Sequence, residues 1–356
     1  MAFPDTPLTR LLGVRYPIVA APMAGGTSTP ALAVAVSEAG ALGSLGLAYT
    51  PPDAMREAIA AVRGGTEKPF NVNLFAFEAP APGDLAAASE LLDGLRAELG
   101  LPHPEPPARP PFTLADTYEV VRETRPPVFS FTLGHPPASL VADLREHGTR
   151  VLGTATTVAE AQALEALGVD AVVAQGSEAG GHRGTFAGPF ESGLIGTLAL
   201  VPQVVDAVSV PVVASGGIMD GRGIAAALAL GAAGAQLGTA FLATPESGAP
   251  DAHKHAVLEG TEESTVVTPA FTGRHARGVR NRLVRELEDK LDRLAPFPFQ
   301  ALVAADIRAE AARRGDPELL TMLAGQGLRL ARAEPAGELV ATLVRETEQV
   351  LAAIGE

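Results

Sequence analysis

The chain of 356 residues contains no cysteine. Disulfides, thiolate metal sites, iron–sulfur clusters and cysteine nucleophiles are thereby excluded. Positive charge is scarce too: 27 Lys and Arg stand against 41 Asp and Glu, a formal net charge of −14. Such a balance suits neither a nucleic-acid backbone nor an anionic membrane surface, so neither partner is expected. No apolar stretch of about 20 residues, the length a transmembrane helix needs, runs free of glycine and loop signals. The first ten residues, Met1 to Arg10, lack the basic start and apolar middle of a secretion signal. A cytoplasmic protein is the expectation. The dinucleotide fingerprint G-x-G-x-x-G is also missing after the first candidate strand, where Ala21-Pro22-Met23-Ala24-Gly25-Gly26 stands instead.

Apolar residues are plentiful. They make up 47% of the chain against 19% charged, enough for a sizeable core. The length calls for one large barrel with an elaboration, or for two domains. The composition leaves a homo-oligomer open. Short apolar runs alternate with amphipathic helical stretches. The candidate strands are Pro17–Ala21, Ala41–Leu47, Pro69–Phe75, Val128–Leu133, Arg150–Ala155, Ala171–Gln175, Pro211–Ser215 and Gly234–Phe241. Continuous apolar runs suit a parallel sheet covered on both faces. Eight such units predict a TIM (β/α)8 barrel, with an open doubly wound sheet as the structural alternative. The Pro- and Ala-rich stretch Glu78–Pro111, around a possible helix Leu85–Leu99, reads as an excursion. The chain divides into a barrel over 1–250, a helical insertion or lid over 251–330 between strand 8 and helix 8, and a helix in 331–356 that closes the barrel.

The strand ends carry the chemistry. Ser215-Gly216-Gly217 and Gly238-Thr239 sit at the places of the last two strand ends, where barrels often present backbone N–H groups to a phosphate. Glycine permits that close approach, and a following helix N-terminus favours the anion. After strand 6 comes Gln175-Gly176-Ser177-Glu178-Ala179-Gly180-Gly181-His182-Arg183-Gly184. His182 is the catalytic candidate, because a rim imidazole can move a proton at neutral pH. The plain alternative is a loop histidine bonded to backbone. His135, in Leu133-Gly134-His135-Pro136-Pro137, is a weaker candidate in a rigid turn. Asn73 and Gln175 end strands 3 and 6, where an amide can read the polar edge of a heteroaromatic ring or simply cap a loop. His253 and His255 are two apart and share no helical face, so they read as solvated surface, and no metal site is expected. The basic run Arg274–Arg285 reads as a solvated helix face, with an anionic substrate as the lesser option.

These residues resemble a known family. Pro17-Ile18-Val19-Ala20-Ala21-Pro22-Met23-Ala24-Gly25-Gly26, Val72-Asn73-Leu74-Phe75, Ala174 to His182 and Ala214-Ser215-Gly216-Gly217 are similar to the nitronate monooxygenases, formerly 2-nitropropane dioxygenases. Gln236-Leu237-Gly238-Thr239-Ala240-Phe241 and Ala324-Gly325-Gln326-Gly327 add to the likeness, which runs along nearly the whole chain. The resemblance implies an FMN-containing barrel. Ala21, Met23, Asn73, Gln175, Gly180 and Gly181 would lie along the isoalloxazine. Gly216, Gly217, Gln236, Gly238 and Thr239 would hold the ribityl phosphate, and His182 matches the family's catalytic histidine. The implied reaction is oxidation of alkyl nitronates, such as propionate 3-nitronate, by O2 to a carbonyl compound and nitrite, a detoxification. With a neutral nitroalkane His182 would first remove a proton; with a preformed nitronate it would orient or stabilise the nitro oxygens. The chain departs from relatives with lid tyrosines, since its only tyrosines are Tyr16, Tyr49 and Tyr118. An FMN-dependent NAD(P)H oxidoreductase of the enoyl-acyl-carrier-protein reductase or quinone reductase type is the alternative. A non-redox barrel holding a phosphate ligand or merely carrying FMN is a third.

Overall fold

The computed structural model describes residues 3–105 and 112–355. Pro111, at the end of the expected excursion, lies outside them. Eight parallel strands form the centre: β1 (Ile18–Ala20), β2 (Gly43–Gly46), β3 (Phe70–Phe75), β4 (Val128–Thr132), β5 (Arg150–Ala155), β6 (Ala171–Gln175), β7 (Val212–Ser215) and β8 (Gly234–Leu237). From β2 to β8 each strand pairs with the next, and β8 pairs with β1, Ile18 lying opposite Ala235. The remaining seam is narrow. Leu42, just before β2, bridges Val19, with the Ala20 N–H to Leu42 O and the Leu42 N–H to Ile18 O both 2.9 Å. The sheet thus closes into a (β/α)8 barrel, and the open-sheet alternative falls.

Period-two alternation sorts the strand residues onto two faces. Ile18, Val72, Phe129, Val172 and Ala214 face outward and pack with helix residues such as Leu32, Ile59 and Leu164. Val19, Leu42, Val128, Leu152, Val173 and Val213 form a second apolar cluster with Leu8 and Leu12 of the helix Pro7–Leu12, which plugs that end of the barrel. Further along the strands the same parity becomes polar, with Ser44, Asn71, Asn73, Ser130, Gln175 and Ser215. Asn71 Nδ2 donates to Ser44 Oγ (3.1 Å) and Ser130 Oγ (2.9 Å), and Asn73 Nδ2 also reaches Ser130 Oγ (2.9 Å). One half of the barrel interior is therefore dry and the C-terminal half is polar.

The helix Ala336–Ile354 packs between the helices Gly221–Ala229 and Pro30–Glu38. A Cβ on Gly221 would lie 2.3 Å from the Thr347 nitrogen, so glycine sets that close approach. A separate apolar cluster forms over the barrel mouth. It joins Ala88, Leu92 and Leu95 to Phe271, Leu283, Val284, Phe299, Val303, Ile307 and Met322.

Four expectations need correction. The helix expected over Leu85–Leu99 is two helices, Leu85–Glu90 and Asp93–Leu99. At the break the Ser89 carbonyl accepts from the Leu92 N–H at 3.0 Å and from Arg96 Nη1 at 2.7 Å. The last strand stops at Leu237, because Gly238 takes an αR conformation and opens the short helix Thr239–Leu242. The insertion is not purely helical. Its segments Thr265–Thr268 and Ala276–Val279 are antiparallel strands, and Ala276–Val279 also pairs with Gly181–His182. Finally, His253 is not solvated: it is buried, with Nε2 3.2 Å from the Leu323 carbonyl, whereas His255 is exposed.

Candidate active site

The loop after β6 is held from several sides. Arg183 is fully buried and gives its guanidinium to three carbonyls, Gly176 at 2.5 Å and Gln175 and Gly193 at 2.9 Å. Its burial, followed by the charge of Arg277, lowers its pKa to about 10. Glu160, also buried, accepts from the Thr156 N–H (2.7 Å) and hydroxyl (2.8 Å) with one oxygen, and from the Phe186 and Ala187 N–H groups with the other. Gln175 donates Nε2 to the His182 carbonyl (3.1 Å) and accepts the Gly184 N–H on Oε1 (2.8 Å). Its amide is thus partly spent on the loop, with one N–H and one lone pair left over.

His182 sits at the centre. Ala276 lies opposite it in the small antiparallel sheet, and the Arg183 N–H donates to the His275 carbonyl at 2.9 Å. The imidazole is boxed by two aromatic rings met edge-on, Phe75 at 5.3 Å and Phe297 at 5.2 Å between centroids. Its Nε2 lies 2.9 Å from Thr272 Oγ1. Burial, reinforced by the positive charge of Arg274, pushes its pKa down to about 3. The ring is therefore neutral at pH 7.

Glycines shape the opposite rim. Gly216 and Gly217 adopt φ of +123° and +68°, a region open to glycine and strained for other residues. The segment Ala324-Gly325-Gln326-Gly327 folds over them. The Gly325 N–H donates to Thr239 Oγ1 (2.8 Å), and a Cβ on Gly327 would sit 3.2 Å from the Gly217 carbonyl. Gly180 serves the same segment, since its Cβ would fall 2.6 Å from Ala324 C. Ala21 borders Gly238, whose Cβ would lie 3.4 Å from its own, and Met23 is half-buried just beyond. Gln236 Nε2 reaches Ser215 Oγ at 3.3 Å. All the residues singled out for a cofactor lie at or just past the C-terminal ends of β1, β3, β6, β7 and β8. Two buried polar atoms in the same half of the barrel, Asn71 Oδ1 and Thr132 Oγ1, have no protein partner. A flat heteroaromatic ring with a polar edge and a phosphate tail fits this combination of glycine cradle and unpaired polar atoms.

Next to Arg183 a cavity of about 530 Å³ opens between Phe77, His135, Phe186, Phe190, Arg274 and His275, with His182 outside its lining. The Arg274 guanidinium lies 5.1 Å over the Phe77 ring and donates to the Thr185 carbonyl. His275 stacks on Phe190 at 3.7 Å. The basic run is a solvated helix face only in its second half, where Arg282 and Arg285 lie on the helix Arg282–Leu287 with exposed ion pairs to Glu98 and Glu318; its first half is not. Arg274 precedes a strand and lines the cavity, and Arg277 is buried within that strand. His135 faces the same cavity from an exposed turn, with Nδ1 3.2 Å from the Pro136 carbonyl. Phe75, Thr272 and Phe297 were not foreseen as parts of the site, and Arg274 was foreseen only in the lesser reading of its run, as a contact for an anionic substrate. Phe75 carried a signal, because it lies two residues beyond Asn73 and so on the same strand face. Thr272 and Phe297 carried none, since only the folded insertion brings them to His182. Among the described residues no group of acidic or histidine side chains could hold a metal ion, and no helix is long and apolar enough to cross a membrane.

Known proteins match this arrangement over nearly the full length. The family model described as nitronate monooxygenase matches residues 5–346. A probable nitronate monooxygenase of Staphylococcus aureus (strain MSSA476) is 40% identical over 352 residues, covering 97% of this chain and 98% of that relative. A solved nitroalkane oxidase from Streptomyces ansochromogenes superposes with a TM-score of 0.92 at 45% identity, covering 98% of this chain and 100% of the other. FabK from Thermotoga maritima is more distant, with a TM-score of 0.76 and 31% identity over 99% and 98% of the two chains.

Proposed function

Because the chain belongs to the nitronate monooxygenase family, and so is a flavin-dependent oxidoreductase, we propose that it carries FMN and oxidises alkyl nitronates. Propionate 3-nitronate is a representative substrate, and the products are a carbonyl compound and nitrite. Bound FMN would accept electrons from the nitronate and deliver them to O2. The observation that carries this reading is the buried imidazole of His182, boxed by Phe75 and Phe297 and bonded to Thr272, two residues before the Arg274 that lines the cavity.

In this reading the backbone of Gly216, Gly217, Gly238 and Thr239, with Gln236 alongside, holds the phosphate. Ala21, Met23, Asn73, Gln175, Gly180 and Gly181 border the isoalloxazine. Phe75 and Phe297 keep water from the imidazole. Arg274 lines the cavity with a positive charge in a chain of net charge −14, which favours entry of an anion. A neutral nitroalkane would need a base matched to the working pH. An imidazole whose pKa is pushed to about 3 is a weak one. A preformed nitronate makes no such demand, and His182 then orients its nitro oxygens. Residues 1–250 are read as the FMN-binding barrel, 251–330 as the lid and 331–356 as the closing helix. The partners are a small-molecule substrate and O2, and the role is a cytoplasmic detoxification.

The visible spectrum provides the test. Anaerobic addition of propionate 3-nitronate should bleach the purified protein, and air should restore the colour with release of nitrite. Bleaching by NAD(P)H but not by the nitronate would overturn the reading in favour of an NAD(P)H oxidoreductase.

A further inference from the structure

Thr272 has one hydroxyl proton and two acceptors within reach. His182 Nε2 lies at 2.9 Å and the Arg274 carbonyl at 3.3 Å. A hydroxyl bonds an oxygen at about 2.5–3.0 Å, so the carbonyl is too far for a good bond, while the imidazole nitrogen is well placed. If Nε2 instead carried a proton, it would donate to Thr272, and the hydroxyl would be left with the poor partner. The rings of Phe75 and Phe297, which flank the imidazole, offer no competing acceptor. With Nε2 engaged, Nδ1 is the nitrogen left to a ligand.

We infer that Thr272 is a positioning residue: it donates to Nε2 and thereby holds His182 as the Nδ1–H tautomer. The nitrogen that meets the ligand is then a hydrogen-bond donor and not a base. Its complement is an anionic oxygen, as on a nitronate; it cannot take the α-proton of a neutral nitroalkane at that atom. The inference rests on the reading of His182 as the group that faces substrate.

The test is nitrogen NMR on flavin-loaded enzyme carrying ¹⁵N-histidine, with the His182 signals identified by their loss in His182→Gln. The expected spectrum has a protonated Nδ1 and an unprotonated Nε2. In Thr272→Val the tautomer should shift toward Nε2–H, and kcat/KM for propionate 3-nitronate should fall about tenfold or more, the size of a hydrogen bond to a charged group. Thr272→Ser should restore both. A wild-type spectrum with protonated Nε2 would overturn the inference, as would a Thr272→Val variant whose tautomer does not move. The spectrum reads the tautomer without turnover. A confirmed Nδ1–H in an enzyme inert to nitronates would therefore count against the proposed function and leave the inference standing.

Discussion

Arg96 and Asp306, 210 positions apart, join a buried guanidinium to a half-buried carboxylate, with Arg96 Nε 2.8 Å from Asp306 Oδ2. The same guanidinium also bonds the Ser89 and Val303 carbonyls, each at 2.7 Å. It therefore fastens the excursion after β3 to the insertion that covers the barrel mouth.

Removing that guanidinium should loosen the cover. Arg96→Leu strips the Val303 carbonyl of this donor and takes the cation from two partly exposed carboxylates, Asp306 and Asp93, and a hydrogen bond to a charged group contributes about 1.5–3 kcal/mol. Hydrogen exchange should speed up across residues 265–323 while the barrel strands stay protected. Uniform exchange in variant and parent would show that the apolar cluster alone holds the cover.

Gly217→Val tests the phosphate rim. The position has φ of +68°, and a Cβ there would sit 3.2 Å from Glu178 Cβ. A branched residue at such a φ costs about 1–3 kcal/mol of backbone strain. Flavin affinity, measured by fluorescence titration, should fall at least about tenfold, with strand content unchanged by circular dichroism. Full occupancy at parental affinity would remove Gly217 from the phosphate site.

His182→Leu and His182→Asn separate donation from shape. Asparagine keeps a hydrogen-bond donor and leucine keeps none. With propionate 3-nitronate, kcat/KM should fall about 10²-fold in the leucine variant and clearly less in the asparagine variant, since a bond to a charged partner contributes about 1.5–3 kcal/mol. Equal losses would mean that the side chain only fills space. A wild-type enzyme that handles neutral nitroethane as fast as its nitronate at pH 7 would show that a base is at work after all.

Two buried histidines set an acid sensitivity. Burial lowers His182 to about 3 and His253 to about 4, against an ordinary value near 6.5. Both folded values are depressed, so the unfolded chain binds the protons first. The stability they confer is complete above pH 6.5 and drains as pH falls toward 4. Each group contributes about 1.4 kcal/mol per pH unit within that window. His253→Gln should therefore flatten the pH dependence of the urea midpoint between pH 6.5 and 4.5. Parallel curves for parent and variant would contradict the assignment.

Much of the barrel was legible in the amino-acid order. The apolar runs Arg150–Ala155 and Ala171–Gln175 coincide with β5 and β6. Glycine after an apolar run marked the rim, because a tight turn there tolerates little else. Contacts between distant segments were not legible. Arg277 reads as part of a basic helix until Val267 lies opposite it in a sheet, and His253 reads as surface until Leu323 supplies a carbonyl. Polar residues inside the barrel, such as Asn71, were obscured by apolar neighbours on the other strand face. The site is thus divided. Its floor is written in local pattern, and its roof exists only after the insertion has folded.

The pairing of Gly181–His182 with Ala276–Val279 makes the roof and His182 parts of one sheet. Thr272 and Phe297 belong to that roof as well. Lifting it to admit or discharge a ligand would pull away the neighbours that orient the imidazole. The two are therefore coupled: any shift of that strand would also shift the surroundings of the imidazole.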